Sequence, residues 1–296
     1  MKKFKNIIYR CRLKGLLLRN NIYRKNHKFD NELIIASSDK YVNRIKEDIN
    51  LCYYLMKDGI NSRIMSYKDI KCSSNVIVRS VWGYQNDLDN FNNFITHRDG
   101  ITINSTSIIE NNISKENQYK LFKKYDIDCI DTKFIYDKKD IVIDKKSVLK
   151  PIISASGNNT YIINDIKDVD KIEDINRGYM LQPFIEDINN GEYSIILFNN
   201  EIMYGIKRYP GVFTNRQSVE YINKDNIDKD IINIIKKVNG IEEYKDYCFM
   251  RVDIVDNMVL ELELVDPQLF IETIPNEDLR IDIYKRLVNC IKDKLK

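Results

Sequence analysis

At 296 residues, with 43% hydrophobic and 31% charged side chains, the chain is too long for one small module and too apolar for wholesale disorder. Ten glycines and five prolines exclude collagen-like or proline-rich architecture, and a mean hydropathy of −0.42 with no apolar run near about eighteen residues excludes a bilayer-spanning segment. The net charge of +3 conceals a division: the residues before Asp30 carry +10 and no acid, leaving an acidic body of −7.

Lys2, Lys3, Lys5, Arg10, Arg12, Lys14, Arg19, Arg24, Lys25 and Lys28 form that basic segment. Its apolar cluster, Gly15-Leu16-Leu17-Leu18, is too short for a signal-peptide core, and it lacks the serines of a transit peptide. It reads as a basic extension, exposed or laid on the surface as an amphipathic helix. A nucleic-acid binder would spread positive charge over a folded face, which the acidic body argues against.

Glu32–Ala36 reads as a buried strand. Val42, Ile45, Ile49, Cys52, Tyr53 and Met56 then recur at helical spacing from Tyr41 to Lys57, where Gly59 ends the helix. Short strands at Ser62–Met65 and Asn75–Arg79 follow, then a helix near Asp87–Thr96, suggesting a small α/β unit with a parallel core. Beyond Asn104 a helix at Lys115–Tyr125 precedes strands at Thr132–Tyr136, Ser147–Leu149, Tyr161–Asn164, Tyr179–Pro183, Tyr193–Phe198 and Glu201–Arg208. Asn199-Asn200 marks a hairpin turn. Asp228–Val238 is predicted helical, and Phe249–Val255 with Val259–Val265 forms a second hairpin. Six scattered cysteines, no Cys-x-x-Cys and only two histidines point to free thiols in a reducing cytoplasm, not to zinc or a Cys-His nucleophile.

The last hairpin carries the clearest chemical signal. Val252 and Ile254 alternate with Arg251 and Asp253; Leu260, Leu262 and Leu264 alternate with Glu261 and Glu263. If both apolar sets face the core, the charged set shares the other face. That requires Asp253 opposite Glu261, and hence an odd loop such as Asp256-Asn257-Met258. Carboxylates so close repel unless a cation lies between them, and hard oxygen ligands suit Mg²⁺ or Mn²⁺. Taken alone, the same pattern also describes a solvent-facing polar stripe. Lys150-Pro151 before Ser154–Asn159 offers a strand-end ammonium and a small-residue loop able to approach phosphate. Arg79 closes a buried strand, where α/β sheets bind ligands.

In order, Lys150-Pro151, Leu181-Gln182-Pro183-Phe184-Ile185, Gly191-Glu192-Tyr193-Ser194, Lys207, Arg251-x-Asp253 and Glu261-x-Glu263 resemble the motifs of an ATP-grasp domain. The resemblance is to the ATP-grasp carboxylate–amine ligases, in the branch of the cycloserine-forming cyclo-ligase and prokaryotic glutathione synthetase. Val78-Arg79-Ser80-Val81-Trp82-Gly83-Tyr84 is similar to a segment of that branch. It implies an α/β (α+β) ATP-grasp fold with an N-terminal Rossmann-like pre-ATP-grasp domain. The implied division is a basic extension over 1–30, the pre-ATP-grasp domain over 31–108 and the ATP-grasp domain over 109–296. Within the last, 109–184 would be the nucleotide lid and 185–296 the metal and catalytic subdomain.

The implied roles follow the motifs. Lys115, Lys150, Ser156 and Gly157 would hold ATP phosphates; Gln182, Phe184 and Ile185 the adenine; and Glu192 the ribose, with Glu186 or Asp187 as alternatives. Lys207 would face the phosphates and Arg251 the reacting carboxylate. Asp253, Glu261 and Glu263 would bind magnesium, and Arg79, Trp82 and Tyr84 the substrate. Glu263 stands where many relatives have Asn, and Gly83 where this branch more often has Asp. The implied activity is an ADP-forming, cytoplasmic ligase that joins a small-molecule or peptide carboxylate to an amine through an acyl phosphate. A homo-oligomer is compatible with it. The alternatives are a degenerate ATP-binding scaffold and a nucleic-acid- or membrane-associated protein acting through the basic arm.

Overall fold

The computed structural model describes residues 2–28, 31–154, 159–172, 178–209 and 218–296. They form two compact units: Met1–Thr106 with Asp246–Phe249 and Val265–Lys296, and Ser107–Lys245 with Met250–Leu264.

The first unit is built on a four-stranded parallel sheet. The basic segment is a helix, α1 (Lys2–Asn26), followed by β1 (Asn31–Ser37), α2 (Lys46–Lys57), β2 (Ile60–Ser66), β3 (Val76–Val78), α3 (Leu88–Thr96) and β4 (Thr102–Ile103). The strand order is β2-β1-β3-β4. Leu33, Ile34, Ile35, Val76, Ile77 and Val78 are all fully buried, as a parallel sheet covered on both faces requires. The predicted helix from Tyr41 begins only at Lys46, because Tyr41–Arg44 forms turns with Asn43 in the left-handed region. The α1 helix rests on α2 through buried Leu13 and an Asn20 Nδ2 bond to the Ile49 carbonyl (2.9 Å). The C-terminal helix Glu277–Lys294, which the sequence pattern did not announce, also packs on α2.

The second unit contains two antiparallel sheets. Helices α4 (Thr106–Asn112) and α5 (Lys115–Lys124) lead into β5 (Lys133–Ile135), β6 (Ser147–Pro151), β7 (Tyr161–Ile163) and β8 (Tyr179–Pro183), ordered β5-β8-β6-β7. Then come β9 (Glu192–Phe198), β10 (Glu201–Tyr209), β11 (Ser218–Asn223), α6 (Lys229–Val238), β12 (Phe249–Val255) and β13 (Met258–Glu263), in a five-stranded sheet ordered β11-β10-β9-β12-β13. Asn199 and Asn200 both take positive φ, as the Asn-Asn turn predicts. Strand β11 and helix α4 were not foreseen. All six cysteines are free. Among the described residues, no helix is long and apolar enough to cross a membrane.

Candidate active site

The β12–β13 hairpin has the expected face-to-face register. Asp253 pairs with Glu261 and Arg251 with Glu263, while Val252 and Leu262 are buried on the other face. The expected three-residue loop is corrected. The turn is the two residues Asp256-Asn257, with φ of 49° and 54°, and the odd residue is absorbed by a bulge that lets Ile254 pair with Val259. An Asp-Asn pair tolerates the left-handed conformation that a tight hairpin needs, and the bulge keeps the leucine face inward.

Asp253 is the hub of this face. Arg251 grips it at two points, Nε to Oδ1 at 2.9 Å and Nη2 to Oδ2 at 2.8 Å. Ser194 Oγ on β9 donates to Oδ1 at 2.6 Å, and Arg208 Nη2 on β10 lies 2.9 Å from Oδ2. A carboxylate has about four lone-pair sites, so these four donors fill Asp253. Burial alone would raise its pKa, but Arg251 and Arg208 outweigh burial and hold it well below the usual carboxylate range. Arg251 also reaches Glu263 Oε1 at 3.1 Å, and Arg208 pairs with Glu192. Burial raises Glu263, opposed by Arg251; burial also raises Glu192, with Asp253 adding to it.

Arg208, rather than Lys207, reaches the carboxylates of this face. Successive strand residues face opposite ways. The Lys207 stem runs over Gly191, where a Cβ would lie 2.8 Å from Lys207 Cε, and its ammonium lies by the rings of Tyr193 and Tyr209. The motif containing Ser194 assigns it no role, and Arg208 has none either, although Glu192-x-Ser194 shows the same period-two signal as Arg251-x-Asp253.

The two predicted lysines converge on the same charges. Lys115 opens α5, whose start is fixed by the Ser114 side-chain cap. Its Nζ lies 2.5 Å from Glu261 Oε1 and 3.0 Å from the Ser154 carbonyl. Lys150 is buried on β6 and has no hydrogen-bond partner among the described residues. Burial lowers its pKa to about 8; Glu261 opposes that shift and Lys115 adds to it. Four cations (Lys115, Lys150, Arg208, Arg251) therefore face four carboxylates (Glu192, Asp253, Glu261, Glu263).

Among the described residues, no three carboxylates enclose a cation as they stand. Asp253, expected as a metal ligand, is held here by Arg251, Arg208 and Ser194. Glu261 and Glu263 each use one oxygen, on Lys115 and Arg251 respectively, and keep the other without a hydrogen bond among the described residues. Two open, partly exposed carboxylate oxygens fit a hard divalent cation.

Of the expected adenine contacts, Gln182 is buried and donates from Nε2 to Thr132 Oγ1 at 2.8 Å. The Phe184 N–H is used by the Lys146 carbonyl at 3.0 Å, and the Lys146 ammonium sits 3.5 Å from the Phe184 ring. Ile185 is half-buried at the head of the turn Glu186–Asn190. Ser156 and Gly157 lie outside the described residues.

In the first unit, Arg79 and Trp82 line a cavity of about 340 Å³ with Lys46, Phe270 and Glu272. Arg79 is buried, with Glu47 Oε1 at 2.5 Å, Asp48 Oδ1 at 3.5 Å and the Pro267 carbonyl at 3.0 Å. Burial pushes Glu47 up to about 7 despite Arg79. Trp82 Nε1 donates to the Asp266 carbonyl at 3.0 Å. Tyr84 is corrected: its ring is buried in the core, 4.6 Å from that of Phe91. Glu47 and Asp48 were missed, although two acids in the first turn of an apolar-periodic helix are visible in the sequence.

Residues 131–277 match the family described as prokaryotic glutathione synthetase, ATP-grasp domain. No curated protein matches the sequence. Among solved structures, the D-cycloserine synthetase DcsG is similar with a TM-score of 0.72 and 18% identity, over 90% of this chain and 100% of that one. A RimK-domain ATP-grasp protein from Sphaerobacter thermophilus has a TM-score of 0.64 and 10% identity, over 88% and 99%. The macrocyclase MdnC from Microcystis aeruginosa, bound with precursor peptide MdnA, has a TM-score of 0.62 and 11% identity, over 88% and 99%. The family match over residues 131–277 and the fold shared along the chain support an ATP-grasp carboxylate–amine ligase.

Proposed function

We propose that this ATP-dependent ligase converts a substrate carboxylate to its acyl phosphate and joins it to an amine, releasing ADP and phosphate. The observation that carries the reading is Lys150, a buried ammonium among charged groups with no hydrogen-bond partner among the described residues. A charge kept out of water without a partner is costly, and a polyanion entering beside it removes that cost. Lys115, Lys150 and Arg208 would hold the triphosphate, and Gln182, Phe184 and Ile185 would border the adenine. Glu261 and Glu263 would hold Mg²⁺, which when bound neutralises phosphate charge. Lys115 and Arg251 would exchange their carboxylate contacts for the incoming anions.

In the first step a substrate carboxylate oxygen attacks the γ-phosphorus, and the bond to the ADP oxygen breaks. In the second the amine nitrogen adds to the acyl carbon, phosphate leaves and the nitrogen loses a proton. Arg251, released from Glu263 and still oriented by Asp253, would donate to the oxyanion that forms between these events. The cavity beside Arg79 and Trp82 has room for an amino acid or dipeptide. Resemblance to both a cycloserine synthetase and a peptide macrocyclase makes free amino acids and short peptides the first panel to try.

The test is nucleotide release with Mg²⁺ and ATP across that panel, with hydroxylamine present to trap acyl phosphate as hydroxamate. ADP with hydroxamate is expected. AMP and pyrophosphate would overturn the acyl-phosphate step, and ATP binding without turnover across the panel would favour the degenerate scaffold.

A further inference from the structure

The α1 helix presents two faces. Leu13 and Asn20 turn inward onto the first unit, and Leu16 and Leu17 are half-buried. At about 100° per residue, Cys11, Gly15, Leu18 and Ile22 fall in one narrow stripe on the opposite side. Leu18 is 60% and Ile22 52% exposed, and Cys11 and Gly15 are exposed too. Their spacing of four, three and four residues is a heptad seam.

Lys14 and Lys25 border the stripe on one side, Arg12 and Arg19 on the other. Among the described residues, none of the α1 cations from Arg10 onward has a carboxylate partner. Arg19 instead lies 3.6 Å over the Tyr53 ring and donates to Asn50, and Arg24 donates to the Ser62 carbonyl. Beside the stripe runs a groove of about 440 Å³, bordered by Gly15, Leu18, Ile22, Tyr23, His27 and Tyr53.

We propose that the outer face of α1 and this groove dock an acidic amphipathic helix of a partner protein or peptide. Apolar side chains of that helix would seat on Leu18 and Ile22, with Gly15 allowing close approach, and its flanking carboxylates would pair with Arg12, Lys14, Arg19 and Lys25. A second copy of α1 is the wrong partner, because it would set these cations against one another. A bilayer is the wrong surface, because the exposed apolar stripe is narrow and most of the helix's leucines face inward.

The experiment uses the full chain and a fluorescein-labelled designed helix three heptads long, with leucine along its seam and glutamate on both flanks. The controls are a scrambled peptide and one with lysine replacing glutamate. The designed helix is expected to bind at least about tenfold more tightly than either, and more weakly as salt rises. Leu18→Asp with Ile22→Asp should weaken binding about tenfold or more, while helicity and ADP release stay unchanged. Arg12→Glu with Lys14→Glu should do the same, and should restore binding to the lysine-flanked peptide. Equal binding of the scrambled peptide, or no binding, overturns the proposal. So would sedimentation showing a dimer lost on Leu18→Asp, or Leu18-dependent binding to phosphatidylserine vesicles with no peptide preference.

Discussion

Arg251 and Asp253, two residues apart on one strand, are joined by a two-point ion pair, with Nε–Oδ1 at 2.9 Å and Nη2–Oδ2 at 2.8 Å. The strand's alternation puts both on one face, and the guanidinium fork matches the carboxylate. Arg208 approaches the same carboxylate from β10. Asp253 thus keeps two buried guanidiniums from repelling each other.

Asp253→Asn should therefore cost about 3–5 kcal/mol at neutral pH, because it removes the one carboxylate that the two buried cations share. The Asp253 pKa lies below its ordinary 3.8, so its stabilisation is fully present above about pH 4 and is lost as pH falls below that. Urea unfolding at neutral pH and near pH 3 should show the gap between wild type and variant shrinking in acid. A gap unchanged across that range would remove Asp253 from this role.

Arg251→Lys keeps the charge and loses the fork. Turnover at saturating ATP and Mg²⁺ should fall by about 2.7–4 kcal/mol of barrier, with nucleotide affinity changed far less. Wild-type ADP production would reduce Arg251 to a neutraliser of Asp253 and Glu263.

For Lys150, the folded chain binds its proton more weakly, at about 8 against an ordinary 10.5. Burial of the charged form is thus a cost below pH 8, relieved as pH rises toward 10.5. Lys150→Met should make the nucleotide-free protein more stable by on the order of 1–3 kcal/mol below pH 8, the gap closing at higher pH. Calorimetry of the same variant with Mg²⁺ should find ATP binding weaker by about 1.5–3 kcal/mol. Unchanged ATP affinity would count against the phosphate reading.

Arg208 and Lys207 are neighbours on opposite faces of β10. Arg208→Ala should cut ADP release sharply and destabilise the chain, because Glu192 and Asp253 lose a shared cation. Lys207→Ala should leave turnover within about threefold of wild type, as for an exposed pair of modest worth. The reverse ranking of the two kcat values would restore Lys207 to the site.

In the first unit, Arg79→Met strands Glu47 and Asp48 and should cost about 3–5 kcal/mol, with recovery when Glu47→Gln and Asp48→Asn are added. Tyr84→Ala should lower thermal stability, as large-to-small core changes do, by about 3–5 kcal/mol. Trp82→Phe, by contrast, should raise the KM of the co-substrate. A KM change confined to Tyr84→Ala, with stability intact, would return Tyr84 to the substrate pocket.

Features that depend on local period are legible in the residues alone. Alternation in Arg251–Val255 and Leu260–Leu264 decided which side chains share a face and, with two apolar faces to bury, the pairing of Asp253 with Glu261. The Asn199-Asn200 turn and the cores of most helices and strands were equally legible, because a few consecutive residues carry the signal. What each charged face meets is set by the folded chain. Lys115 reaches Glu261 from 146 residues away, Arg79 finds Glu47 on a helix 32 residues earlier, and Arg208 meets Asp253 from β10. The bulge after Asp253 belongs to the same class. The sequence requires one extra residue for the register, but whether loop or strand absorbs it depends on keeping Leu262 in the core. Local sterics set the direction of a side chain; strand order and non-local packing choose its partner.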